Sequence, residues 1–161
     1  MSTLIAEENL VGNILASDLN SSAVELLFEN LKRWDKREYP TKSEKLQQYY
    51  DDRIVGLADA TKLSQNPQYS GKWDLVLVNL PHRTIEFLPD LIPLLNRSNV
   101  SLIRGRVIVP ESDIPDANEK INQILPTIAA GKPKPELKIK RDYSSALRLC
   151  SFEAWIEKDN T

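Results

Sequence analysis

The chain has 161 residues, 41% of them hydrophobic and 27% charged, with a formal net charge of −2. That is the size of one domain, large enough to bury a core without a disulfide or structural metal, and its even mix of charges excludes both a polyanion-binding tail and a disordered acidic chain. The five glycines, at 12, 56, 71, 105 and 131, lie too far apart for a Gly-x-Gly-x-x-Gly turn or a phosphate-cradling P-loop.

Residues 2–9 read as the back half of a helix, with Gly12 as its C′ residue. Asn13–Ser17 is a short apolar strand that stops at Asp18. Ser22 and Glu25 have the spacing of a capping box. The helix they open repeats apolar residues at Val24, Leu27, Phe28, Leu31 and Trp34, the 3.6-residue period. Residues 35–52 are polar and aromatic and read as a long connection, with a surface helix over 43–50.

Arg53–Ala58 is a second strand, ending at Asp59, and residues 61–72 are loop, with Pro67 and Gly71. Trp73–Val78 is a continuous apolar run, the pattern of a strand buried on both faces of a parallel sheet. The helix over 84–96 contains Pro89 and Pro93, so a break is expected near Leu88, with Pro89 opening a second short helix. Leu102–Val109 is a strand. Asp116–Ile128 is a helix with Ala117, Ile121, Ile124 and Leu125 on one face. Glu136–Lys140 and Ala146–Ile156, joined by Asp142-Tyr-Ser-Ser, read as an antiparallel hairpin.

Strands alternating with helices predict an α/β fold with a mainly parallel sheet and a C-terminal antiparallel hairpin. No apolar stretch approaches the ~18 residues of a membrane span. The N-terminus lacks the basic start of a signal peptide, its apolar run being cut by Glu7 and Glu8. The lone Cys150 has no intramolecular partner and suits a reducing compartment, so the expectation is a soluble cytoplasmic protein without a membrane partner.

Ligands of open parallel sheets bind outside the carboxyl ends of the strands. Three strands end there in a polar residue: Asp18, Asp59 and Asn79. A carboxylate at such a position can accept from ribose hydroxyls or an amino group, and Asn79 offers both a carbonyl acceptor and an amide donor. Each is equally an ordinary turn or cap residue; three in register across one sheet edge point to a site.

These segments carry a resemblance. Asn13 to Asn30, with Asp18 at the strand end and Ala23-Val-Glu following, resembles the second-strand region of class I S-adenosylmethionine-dependent methyltransferases. Leu57-Ala-Asp-Ala60 resembles the step after their third strand, and Trp73 to Pro81 their fourth strand with its substrate-side motif. Asn79-Leu-Pro81 followed by Glu86-Phe-Leu88 is similar to the Met-10-like tRNA guanine-N1 methyltransferases, and the tail from Arg141 to Ile156 resembles their final hairpin.

The resemblance implies a Rossmann-like methyltransferase sheet, with residues 1–161 as a single methyltransferase-like domain from strand two onward. It implies S-adenosylmethionine as cofactor, held at Asp18 (ribose), Asp59 and Ala60 (adenine) and Asn79. It implies an RNA substrate, tRNA guanine N1, in a pocket shaped by Asn79, Leu80 and Pro81. Guanine N1 carries a proton that a base must remove, and His82 and Glu86 are the candidates near that motif. Either is equally an exposed helix-start or helix residue.

One departure counts against activity in this chain. The family's first strand and Gly-rich loop have no counterpart, and Ser2-Thr-Leu-Ile-Ala6 resembles the helix that follows that loop. The expected sheet is therefore truncated at its N-terminal side, with two strand edges left unpaired for a missing N-terminal segment or a second chain. The alternative is a non-catalytic or degenerate methyltransferase-like protein, or a partner subunit. A receiver-like signalling domain is a distant third, because Asn79 stands where the phosphate-accepting Asp would be.

The remaining features have mostly structural readings. Lys132 to Arg141 carries five positive charges and one negative, either a contact for RNA phosphates or a Pro-stiffened linker entering a strand that turns Leu137 and Ile139 inward. Trp34, Trp73 and Trp155 are expected in or beside the core, and Cys150 as a small buried hydrophobe.

Overall fold

The computed structural model describes residues 12–160, so the helix expected over 2–9 lies outside the described residues. The chain divides into two compact units, one up to Lys62 and one from Leu63 on.

The first unit holds β1 (Ile14–Asp18), α1 (Ser21–Asp35), β2 (Gln47–Tyr50) and β3 (Arg53–Leu57). Its three-stranded sheet has the order β1-β3-β2. β1 and β3 run parallel, from Ile14 opposite Arg53 to Asp18 opposite Leu57. The apolar period of α1 delivers Val24, Phe28 and Leu31 into the core beside Ala16, Tyr39 and Val55. Each such side chain contributes about 1.5–3 kcal/mol through burial. The cap of α1 differs from expectation. Asn20, not Ser22, is the N-cap, and its side chain accepts from the backbone N–H of Ser22 and Ala23. The helix thus starts one residue before Ser22, leaving that residue inside the first turn.

Within the expected surface helix over 43–50, Gln47–Tyr50 is instead a strand. Tyr49 and Tyr50 pack against the core of α1 and β3, and Phe28 meets Tyr49 edge to face at 5.4 Å. An isolated helix would leave those rings in water, whereas pairing with β3 half-buries them. Gly56 in β3 has φ +148°, and a Cβ there would lie 2.6 Å from the backbone of Lys45 and Leu46. Only glycine allows this close approach.

The second unit holds β4 (Leu75–Val78), α2 (Thr84–Leu91), β5 (Ser101–Pro110), α3 (Ile114–Ile124), β6 (Lys138–Asp142) and β7 (Leu147–Ile156). Its sheet has the order β4-β5-β7-β6. β4 pairs parallel to β5, whereas β7 is antiparallel to both β5 and β6, the latter pair being the expected C-terminal hairpin. Ile103, Val107, Cys150, Ala154 and Ile156 fill its interior with Leu88 and Leu91 of α2 and Ile121 of α3.

The fold class is α/β with mixed sheets. The expected mainly parallel sheet is corrected: among the described residues, the strand pairings β1·β3 and β4·β5 are parallel and three are antiparallel. The unforeseen strand β2 and the two-sided pairing of β7 account for the difference. The expected single row of strand ends is also divided between two sheets. Among the described residues, β1 pairs only with β3 and β4 only with β5.

The break near Pro89 falls later than expected. α2 continues through Pro89 to Leu91, and Ile92 N donates to Leu88 O before a 3-10 turn, Ile92–Leu94, takes over. Buried Leu88 and Leu91 flank the exposed Pro89, so packing offsets the lost backbone bond. Residues 61–65 of the expected loop belong to a 3-10 helix, Ala60–Gln65. α3 begins at Ile114, earlier than expected, and ends at Ile124. The three tryptophans lie half-buried, and Cys150 is fully buried.

Candidate functional site

In the first unit, two carboxylates stand at adjacent parallel strand ends. Asp18 closes β1, and its carbonyl accepts from Ala58 N at 3.1 Å. Asp59 follows β3 directly after Ala58. Because β1 and β3 are parallel and in register, the two acidic residues are neighbours at one sheet edge, with strands ~4.8 Å apart. Both are half-buried.

Each carboxylate has a local task as well. Asp18 Oδ1 accepts from Asn20 N at 2.8 Å, holding the turn into α1. Asp59 Oδ1 accepts from Thr61 N at 3.0 Å and Thr61 Oγ1 at 2.6 Å, opening the 3-10 helix that Ala60 begins. Among the described residues, Asp18 Oδ2 has no such bond, which leaves it able to accept from a ligand hydroxyl. Two half-buried acceptors of this kind fit a ligand that presents hydroxyl or amino donors.

In the second unit, Asn79, Leu80, Pro81 and His82 form the loop between β4 and α2. Asn79 and His82 are exposed; Leu80 and Pro81 are half-buried. The loop is tied down at three points. Pro81 O accepts from Ile108 N of β5 at 2.9 Å, and Leu80 O accepts from Arg83 N at 2.7 Å and from the buried Thr84 Oγ1 at 2.9 Å. Gly105 of β5 makes room beneath it, since a Cβ there would stand 2.5 Å from the Phe152 ring and 3.1 Å from Thr84 Cγ2.

Glu86 lies one turn into α2, exposed, and pairs with Arg83, whose Nη2 is 2.8 Å and Nε 3.2 Å from its carboxylate. The hydrogen bond from Arg83 holds its carboxyl below the usual range. The three-residue spacing on a helix is the sequence signal for that pair. His82 has a ring neighbour that the sequence did not predict. Tyr143, in the turn between β6 and β7, meets it edge to face, with centroids 5.6 Å apart and planes at 79°.

The basic tail segment is partly engaged. Lys132 Nζ sits 4.3 Å over the Trp155 ring, while Leu137 is buried. Ile139, expected to turn inward, is exposed, as are all five residues of the edge strand β6. Among the described residues, no group of three or more His, Cys, Asp or Glu could hold a metal ion, and no helix is long and apolar enough to cross a membrane.

No protein-family model and no curated protein sequence matches the chain. Solved structures do. TYW2 of M. jannaschii in complex with AdoMet superposes with a TM-score of 0.69 at 18% identity, covering 98% of this chain and 64% of that one. Trm5b from Pyrococcus abyssi gives 0.60 at 20% identity, over 91% of this chain and 38% of that one. An aTrm5 in complex with tRNALeu gives 0.60 at 16% identity, over 91% and 35%. At such identities the likeness is one of fold, shared with one protein crystallised with AdoMet and another crystallised with tRNALeu. The chain spans less than two-thirds of the length of each of them.

Proposed function

We propose that residues 1–161 form one Rossmann-like methyltransferase domain that takes S-adenosylmethionine and acts on RNA, with N1 of a tRNA guanine as the methylated atom. The observation that carries this reading is the pair of half-buried carboxylates at adjacent parallel strand ends. The fold likeness to a TYW2 bound to AdoMet and an aTrm5 bound to tRNALeu supports it.

Asp18 would accept from the ribose hydroxyls, and Asp59, with the Ala60 backbone beside it, from the adenine amino group. When bound, S-adenosylmethionine supplies a methyl group on a positively charged sulfur. The protein's own part is positioning, the main source of rate in such a transfer. Asn79 would meet the base edge with one acceptor and one donor, and Leu80 and Pro81 would wall the pocket from a loop already tied to β5 and α2. The guanine N1 proton must leave, and we assign His82 to take it, because the Glu86 carboxylate is held by Arg83. A cytoplasmic setting goes with the lone thiol.

Calorimetry with S-adenosylmethionine tests the cofactor site. Asp18→Ala and Asp59→Ala should each weaken binding by about tenfold or more, the worth of a charge-assisted hydrogen bond. Circular dichroism on the same samples separates this from lost folding. A well-folded chain that shows no heat of binding and transfers no labelled methyl to tRNA would overturn the reading.

The single-sided pairing of β1 and of β4 among the described residues favours a second reading. Here the chain is a non-catalytic methyltransferase-like protein or a partner subunit, and a further segment or second chain pairs at those edges. Cofactor binding that appears only when a second chain co-purifies would establish it.

A further inference from the structure

We infer that Tyr143, braced by the His82 ring at its side, is a stacking platform that positions an unpaired nucleobase of the RNA beside Asn79–Pro81. The inference rests on the RNA reading above and adds a positioning residue to it.

The turn that carries Tyr143 is brought to this end of the sheet by strand register. β5 and β7 pair along their whole lengths, and the last pair, Pro110 opposite Leu147, sets the β6–β7 turn at the carboxyl end of β5. The Asn79–His82 loop is tied to that same end through Pro81 O and Ile108 N. In parallel pairings this is the end where ligands bind. The turn is held in shape: Tyr143 N and Ser144 N donate to Leu147 O at 2.9 and 3.2 Å, and Ser144 Oγ accepts from Leu147 N at 3.1 Å.

Tyr143 is 51% exposed, one of few large apolar side chains left open to water among the described residues. Its ring stands nearly perpendicular to that of His82, with centroids 5.6 Å apart, and about half of the side chain stays open to water. An aromatic ring braced by a neighbour and half open to water suits a nucleobase, because every base offers a π-face. Single-stranded loops are where such bases are available in RNA.

The adjoining edge strand supplies charge of the right sign. Lys138, Lys140 and Arg141 of β6 are all exposed, whereas Asp142 is held by Arg148. The register slips between Ile139 and Arg141, so that Lys138 lies opposite Ser151 and Arg141 opposite Leu149, alternate residues of β7. The bulge therefore turns Arg141 to the same face as Lys138. Two cations on one face running toward an open aromatic ring match a phosphate backbone with an unstacked base.

The test is fluorescence anisotropy of a labelled RNA hairpin with an unpaired guanine-containing loop, beside a fully paired duplex of the same stem. The wild type should prefer the hairpin. Tyr143→Ala should weaken hairpin binding about fivefold or more, and Tyr143→Phe and Tyr143→Trp should hold it within about twofold, since stacking needs only the ring. Duplex binding should not change with any of them. Tyr143→Leu, which keeps apolar bulk without a ring, repeats the test if the alanine variant does not fold. Lys138→Glu with Arg141→Glu should weaken both RNAs and flatten the salt dependence.

Equal binding of hairpin and duplex by the wild type, or wild-type affinity in the ringless variants, overturns the inference. Calorimetry with S-adenosylmethionine on the same samples separates the two levels. Cofactor binding without the Tyr143 effect sinks only the platform. The Tyr143 effect without cofactor binding sustains the platform and sinks the methyltransferase reading.

Discussion

Arg53 and Asp35 form a buried two-pronged ion pair, with Arg53 Nε 3.0 Å from Asp35 Oδ2 and Nη2 3.1 Å from Oδ1. Both side chains are only 7% exposed. The remaining guanidinium nitrogen donates to Gly12 O and Asp52 O, so the start of β3 is fastened to the residues before β1 and to the end of α1. Removing Asp35 leaves the buried Arg53 with Asp52 as its remaining carboxylate partner, at 2.9 Å. Asp35→Ala should cost about 1.5–3 kcal/mol of stability, the worth of a hydrogen-bonded charge pair, read from the urea midpoint. A midpoint within error of wild type would show that the pair contributes nothing.

The same network sets an acid limit. At Asp35 burial pushes the carboxyl up, but hydrogen bonds from Arg53 and Tyr39 and the charges of Arg53 and Arg37 outweigh it, and the net shift is down from 3.8. At Asp52 the hydrogen bond from Arg37 leads, and the net shift is again down from 3.8. Groups lowered on folding stabilise the fold above their unfolded value and lose that contribution as pH falls through the folded one. Stability should hold near neutrality and fall once the pH drops below 3.8. At the alkaline end, burial and then the hydrogen bond to Glu44 push Tyr49 from 10.0 up to about 12. Its contribution is complete below pH 10.0 and is lost as the pH rises through about 12. Urea titrations across both windows check the signs; burial and the hydrogen bond to Asp35 push Tyr39 up as well, so Tyr49→Phe should remove only part of the alkaline component.

Gly105→Ala should lower stability by about 1–3 kcal/mol, the usual cost of overpacking. The added methyl would stand 2.5 Å from Phe152 Cε1, in a ring that is only 4% exposed and has no room to yield. Thermal denaturation reads the loss. The disturbance should also reach Thr84 and the Asn79–His82 loop, so an unchanged melting temperature would speak against the close packing beneath that loop.

The two titratable groups near Asn79 should behave differently. If His82 takes the guanine proton, His82→Ala should lower kcat by roughly 100-fold or more, the low end for a general base. Glu86→Gln should leave kcat nearly unchanged, because that carboxylate is committed to an exposed pair with Arg83. Single-turnover methyl transfer to a tRNA transcript distinguishes them. The reverse order would move the role to Glu86.

Cys150 should be inert in the folded protein. It is fully buried, and burial pushes its thiol up. A thiol reagent such as Ellman's should label it only as fast as the chain unfolds, since the thiolate is the reactive form. Rapid labelling under native conditions would contradict this packing.

Much of this was legible in the amino-acid sequence because it depends on near neighbours. The apolar period that buries Val24, Phe28 and Leu31, the strands that end at or just before Asp18, Asp59 and Asn79, the C-terminal hairpin and the burial of Cys150 all follow local rules. Only the tertiary structure decided what hangs on distant partners. Gln47–Tyr50 became a strand because β3 buries its tyrosines, and α2 passes Pro89 because Leu88 and Leu91 are anchored on either side. The strand ends were divided between two sheets, Arg53 found Asp35, and Tyr143 met His82. Strand pairing and buried charge join residues far apart in the chain, and no local propensity encodes which of them will meet.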